Sequence, residues 1–218
     1  MIPTTITLRS QVWKTKGTKR VQWIEGIAAV AGAVSVYLSA REKILSWPTA
    51  IVNVSLYTFI FYESGLYSDM GLQVVYLILS IYGWYEWLHG GEHRTRLRVS
   101  YATSRAWAAS AGIGLVFWLA LARYTSTLEG VSYPYLDSGL TTLSLVAQWM
   151  MTRKILENWV LWIIADIAYV PMYVLKGLHV TAVLYAVFLV LATIGLMDWR
   201  RSFARDHAAV PRAAPTPV

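Results

Sequence analysis

Asn158-Trp159-Val160-Leu161-Trp162-Ile163-Ile164-Ala165-Asp166-Ile167-Ala168-Tyr169 is the stretch on which the reading of this chain turns. It opens an apolar run that continues to Leu175 and carries one charged residue, Asp166. On a helix, positions 162, 166, 169 and 173 share a face, so Trp162, Asp166, Tyr169 and Tyr173 line up, with Trp159 one turn before them. An aromatic stripe alone is more often packing than a binding surface. Asp166 changes that balance. A carboxylate about two turns inside a membrane helix is costly, which makes it a functional-site candidate. A carboxylate beside aromatic faces is a chemically sensible cage for a flat organic cation.

The rest of the chain puts that helix in a bilayer. Of the 218 residues, 56% are hydrophobic and 14% charged, with 11 tryptophans; soluble domains carry about 25% charged residues. Mean hydropathy is +0.46. Runs 44–62, 70–85, 106–122 and 138–152 are free of charge and bounded by charged residues, as crossings of ~20 mainly apolar residues require. We place seven spans at about 23–40, 44–62, 70–88, 106–122, 138–152, 158–175 and 179–199. Residues 1–20 read as a basic tail without the apolar core of a signal peptide. From Ser202 the chain is charged, then Ala- and Pro-rich, and is expected to be disordered. Pro134 is expected to discourage helix in the polar connection 123–137. The net charge of +7 invites a nucleic-acid reading, but the basic residues flank apolar spans and fit topology signals better. Cysteine is absent, so no disulfide or thiol chemistry is available.

A repeat runs through the chain. Shifted by 112 residues, 25–87 overlies 137–199 without a gap: Trp47 meets Trp159, Tyr57 meets Tyr169, Gly65-Leu66 meets Gly177-Leu178, Gly83 meets Gly195, Glu86-Trp87 meets Asp198-Trp199 and Arg41 meets Arg153. Three spans per repeat with one span between them (repeat 1 about 23–88, linker 106–122, repeat 2 about 137–199) make the repeats parallel. Such repeats characterise transporters that bind substrate between halves. Seven of the 19 Lys and Arg fall on the side of the N-terminus and twelve on the other, which predicts N-terminus outside and C-terminus inside.

Polar residues within spans are the remaining candidates. Span 2 carries Asn53; span 3 carries Gln73, Tyr76 and Ser80 on one face; span 5 carries Thr141, Ser144 and Gln148. In lipid these must find partners, a neighbouring helix or a ligand. Trp84, Trp87 and Trp199, at span ends beside acids, read as interfacial belt residues; Glu25, Glu86 and Asp198 are expected to be solvated or paired. His89 and His93 lack a third ligand, so no metal site is expected. No Walker motif is present, so ATP hydrolysis is excluded, and an intramembrane enzyme would need a nucleophile–base pair or metal cluster that Asp166 alone does not supply.

Several strings resemble the PnuC vitamin transporters: Trp23-Ile24-Glu25, Trp47 with Asn53, Leu66-Tyr67 with Leu72-Gln73, Tyr82-Gly83-Trp84-Tyr85-Glu86-Trp87, Met151-Thr152-Arg153-Lys154, and Glu157-Asn158-Trp159 with Trp162. The resemblance covers about residues 21–201. It implies an all-α membrane protein of seven transmembrane helices in a 3+1+3, SWEET-like arrangement. It further implies a homotrimer in the bacterial plasma (inner) membrane, importing nicotinamide riboside by facilitated diffusion, trapped inside by a cytoplasmic kinase, with no cofactor and no nucleic-acid partner. Trp159, Trp162, Asn53 and Gln73 match positions lining the family's substrate cavity. With the residues read above, the candidate set is Trp159, Trp162, Asp166, Tyr169 and Tyr173 on span 6, Trp47 and Asn53 on span 2, Gln73 and Tyr76 on span 3, and Gln148 on span 5. One departure stands out: nicotinamide riboside importers of the family often carry Asn where this chain has Asp166. Relatives proposed to carry thiamine or riboflavin exist, and thiamine, also a cation, is the alternative substrate.

Overall fold

The computed structural model describes residues 19–127, 133–175 and 179–208. Seven α-helices form among them: α1 Lys19–Ala40, α2 Ser46–Glu63, α3 Tyr67–His89, α4 Ser104–Thr125, α5 Pro134–Thr152, α6 Asn158–Leu175 and α7 His179–Ala208. Six of them contain an expected span, and α2 begins two residues inside the expected 44–62. Pro134 does not interrupt a helix; it opens α5, in the first turn, where its missing N–H has no partner to lose. Thr103 caps α4 by accepting from the Ala106 N–H. α7 runs on to Ala208, so residues 202–208, expected to be tail, are helical; the rest of that tail and residues 1–18 lie outside the described residues, as does Gly177-Leu178.

Four of the helices contain a stretch long and apolar enough to cross a membrane: α1, α4, α6 and α7. The other three are more polar for a visible reason. α2 buries Asn53; α3 buries Asp69, Gln73 and Ser80; α5 buries Asp137, Ser138, Thr141, Thr142 and Ser144. These side chains point into the bundle, where helices and hydroxyls satisfy one another. Thus Tyr76 Oη on α3 lies 2.7 Å from Ser144 Oγ on α5, and Asn53 Nδ2 donates to the Ala28 carbonyl on α1 at 2.6 Å. The outer surface carries the apolar side chains instead: Ile78, Ile113, Val116, Val183 and Leu175 are all at least 60% exposed, a surface suited to lipid.

The main helix contacts run α1–α2–α3–α5–α6–α7 and back to α1, while α4 packs on the outside against α5. Packing recurs along the chain at a fixed offset of 112. Trp47 meets Trp87 edge to face at 5.3 Å and 90°; Trp159 meets Trp199 at 5.4 Å and 89°. Trp87 Nε1 donates to the Met151 carbonyl at 3.0 Å, and Trp199 Nε1 to the Ser39 carbonyl at 3.1 Å. Both bonds cross from one half of the chain to the other. Neither Trp87 nor Trp199 is a belt residue: both are fully buried. The reason is a slot on each helix. A methyl group at Gly83 or Gly195 would collide with the Trp47 or Trp159 ring, so glycine lets each indole lie against the backbone and its partner tryptophan turn inward.

Helices α1 and α5 end alike. Glu42 (φ 53°) and Lys154 (φ 49°) are both left-handed. Around them the backbone closes the same pair of bonds, Lys43 N–H to Leu38 C=O and Glu42 N–H to Ser39 C=O, repeated by Ile155 to Met150 and Lys154 to Met151. This is the Schellman closure, in which glycine is the usual left-handed residue. The connection from Gly90 to Thr103 straps the same end of the bundle. Ser100 N–H donates to the Lys154 carbonyl, Leu156 N–H to the Ser100 carbonyl, and Arg96 Nη2 to the Glu42 carbonyl. Glu157 accepts from the Ala102 N–H.

Candidate functional site

Between the halves lies a cavity of about 110 Å3. Trp47, Asn53, Tyr76, Gln148, Trp159, Trp162 and Asp166 from the expected set line it; Gln73, Tyr169 and Tyr173 do not. The difference is depth, not direction. Tyr169 and Tyr173 continue the Asp166 face of α6, but at 1.5 Å rise per residue Tyr173 lies roughly 10 Å further along the helix. There the two rings stack at 5.9 Å and close on Tyr185 from α7 at 5.0 Å each. Gln73 is buried, 1% exposed, one turn of α3 away from Tyr76.

Fourteen of the seventeen lining residues form seven pairs separated by 112 positions, among them Trp47 with Trp159, Ala50 with Trp162, Val54 with Asp166, Tyr76 with Phe188 and Ser80 with Ala192. Sequence reading missed Ala50, Val54, Phe188 and Ala192. The signal for them was available: applying the repeat offset to Trp162, Asp166, Tyr76 and Ser80 names all four. The walls are alike in position and unlike in chemistry. The second half presents Trp162, Asp166 and Gln148; the first presents Ala50, Val54 and Val36 at the matching places, with Asn53, Tyr76 and three serines (Ser35, Ser39 and Ser80) among its polar groups.

Asp166 is 4% exposed and, among the described residues, is the only charged one lining the cavity, with no lysine, arginine or histidine beside it in that lining. A buried carboxyl is tolerated when it is neutral or when a counter-charge is present, and a cationic ligand would supply that counter-charge. Among the described residues, three buried polar atoms of the lining side chains have no hydrogen-bond partner: Trp47 Nε1, Trp159 Nε1 and Asn53 Oδ1. Two donors and an acceptor left open in this way are matched by a ligand with its own acceptor and donor groups. Gly32 leaves room for the Asn53 amide; a methyl group there would come within 2.8 Å of Asn53 Nδ2. Among the described residues no group of three or more His, Cys, Asp or Glu could hold a metal ion.

The sequence profile of the nicotinamide mononucleotide transporter family matches residues 22–201. The chain is 29% identical over 214 residues to the nicotinamide riboside transporter PnuC of Escherichia coli (strain K12), an alignment covering 87% of this chain and 89% of the relative. It is 25% identical over 203 residues to the riboflavin/roseoflavin transporter RibM of Streptomyces davaonensis, covering 90% and 93%. A crystal structure of the vitamin B3 transporter PnuC superposes with a TM-score of 0.67 at 23% identity, over 92% of this chain and 88% of that one.

Proposed function

The chain belongs to the nicotinamide mononucleotide transporter family, and we propose that it is a passive carrier importing nicotinamide riboside. The riboside follows from the likeness to nicotinamide riboside transporters, and the observation that favours a cationic ligand is the Asp166 carboxylate among the cavity's aromatic rings. The riboside is a pyridinium cation with ribose hydroxyls. Its ring fits against Trp162 and Trp159 with the positive charge toward Asp166, and its hydroxyl and amide groups suit the open Trp47, Trp159 and Asn53 atoms. The mononucleotide adds a phosphate, which would enter a cavity holding a carboxylate and no basic residue. Riboflavin is neutral and offers Asp166 hydrogen-bond donors but no positive charge. Thiamine is a cation and remains the second reading.

The architecture that serves this is two parallel three-helix repeats, α1–α3 and α5–α7, joined by α4, all seven helices crossing the inner membrane with the N-terminus outside. The closed ring of helix contacts and the seven offset pairs support it. The end bearing Arg94, Arg96, Arg98, Arg200 and Arg201 is then cytoplasmic. Ligand pockets usually enclose ~300–1,000 Å3; at about 110 Å3 this cavity must widen to admit a nucleoside, as parting of the halves would do. Net uptake comes from a cytoplasmic kinase that traps the product, and the assembled carrier is a homotrimer.

The test is uptake into liposomes containing the purified protein and no kinase. Labelled nicotinamide riboside should equilibrate across the membrane and stop, and unlabelled riboside should compete better than thiamine and far better than the mononucleotide. Accumulation driven by an imposed proton or sodium gradient would refute passive carriage; stronger competition by thiamine would reverse the substrate assignment.

A further inference from the structure

Beyond the cavity, toward the end strapped by residues 90–103, three ion pairs among the described residues join the two halves of the chain. Arg41 Nη1 lies 3.3 Å from Asp198 Oδ2, and Arg153 Nη1 lies 2.6 Å from Glu86 Oε1. These two pairs are the same contact made twice: Arg41 and Arg153 are 112 positions apart, and so are Glu86 and Asp198. Each arginine reaches across to the other half. In the third pair Lys154 Nζ sits 2.7 Å from Glu42 Oε2, and these two residues are each other's counterparts at the 112-residue offset. They therefore face each other where the halves meet. Identical residues there would set like charges together; this chain places one of each sign.

Three features say that the row is a closure rather than surface decoration. It lies over a layer of four tryptophans. Trp87 and Trp199 touch at 5.8 Å, each holds a cavity indole edge to face, and Lys154 Nζ stands 4.7 Å from the Trp87 ring. The path from the cavity to this end thus ends at indoles and then at ion pairs. The lysine is buried, its side chain 3% exposed, which is unusual for a group that could reach water. Both axial residues adopt left-handed backbone where glycine would be unstrained, so side chains are kept at a position that disfavours them.

From this geometry we infer that Arg41–Asp198, Arg153–Glu86 and Glu42–Lys154 are the gate that closes the cavity toward the end bearing the Gly90–Thr103 strap. The inference rests on the carrier reading for its purpose. A carrier must open each end in turn, and this end opens only when the halves part and all three pairs separate. Weakening them shifts the population toward the state open on this side.

The chain has no cysteine, so a single reporter can be placed in the cavity wall. Ala192→Cys is a small change at a lining residue 2% exposed. Proteoliposomes sorted by orientation are treated with a membrane-impermeant maleimide from either side. Adding Glu86→Gln and Asp198→Asn should raise labelling from the strap side at least tenfold and leave the opposite side unchanged or slower. Glu42→Lys alone should raise it likewise, and Glu42→Lys with Lys154→Glu should return it toward the starting rate. Unchanged labelling from the strap side overturns the proposal. So does an equal rise on both sides, which marks a loosened fold, or a charge-swapped pair that labels as fast as the single Glu42→Lys change. If the neutralised variants fail to fold, the comparison of Glu42→Lys with the charge-swapped protein, which keeps all three pairs, still decides. Labelling needs no substrate. A gate that behaves as described in a protein that does not take up nicotinamide riboside would count against the proposed substrate alone.

Discussion

Lys154 and Glu42 form an ion pair, Nζ to Oε2 at 2.7 Å, across the meeting line of the two halves, and the burial of the partners is unequal: 3% exposed for the lysine side chain and 23% for the glutamate. That inequality decides which partner can be spared. Deleting Lys154 leaves a carboxylate that water can reach. Deleting Glu42 leaves a cation that water cannot, and an uncompensated buried charge costs several kcal/mol.

Glu42→Gln should therefore lower the thermal stability of the purified protein more than Lys154→Met, and the double variant should be more stable than Glu42→Gln alone. Burial already holds the Lys154 ammonium below its ordinary 10.5, and losing Glu42 lowers it further. Between that lowered value and 10.5 the unfolded chain binds more protons than the native one, so stability in Glu42→Gln rises with pH across this window. Melting curves over alkaline pH test this; a Glu42→Gln deficit that grows with pH would contradict it.

Gly83 and Gly195 hold the cavity indoles against the backbone. Alanine in a helix ordinarily gains about 1 kcal/mol over glycine. Here the added methyl meets a tryptophan ring, and overpacking costs about 1–3 kcal/mol. Gly83→Ala and Gly195→Ala should each lower the melting temperature and weaken riboside binding. A raised melting temperature with intact binding would show that the slots have slack.

Trp162 lines the cavity, whereas Trp118 lies between α4 and α5 with Nε1 on the Tyr135 carbonyl at 2.9 Å. Cation–π and stacking contacts contribute ~0.5–2 kcal/mol, so Trp162→Ala should weaken binding roughly three- to thirtyfold and Trp118→Ala should not. Equal losses measured by titration calorimetry would make the aromatic stripe of α6 packing alone.

Much of this arrangement is legible in the sequence, and the illegible part has a common cause. Asp166 among aromatic residues, the seven helices and the 112-residue offset all follow from local pattern and self-comparison. Periodicity gives the direction a side chain faces but not the depth at which a cavity ends: Tyr169 and Tyr173 share the Asp166 face, yet tyrosines from α6 and α7 fill their level. Trp87 and Trp199 look interfacial by residue type and position. Their burial depends on glycine slots on their own helices and on carbonyls of the opposite half, contacts between residues 64 and 160 positions apart. The offset itself held this information: Arg41 with Arg153 and Glu86 with Asp198 pair crosswise once the halves face each other.

The central claim is that Asp166 recognises the positive charge of the substrate ring. Its most direct test compares nicotinamide riboside with the reduced dihydropyridine riboside, which has the same skeleton and no charge. At an effective dielectric of about 20, a pair of charges 4 Å apart interacts by ~4 kcal/mol. Even after losses to desolvation, the purified protein should bind the cation at least tenfold more tightly than the reduced form, and Asp166→Asn should abolish most of that difference. Equal affinity of the unaltered protein for the two forms, or a preference that survives in Asp166→Asn, would contradict the account.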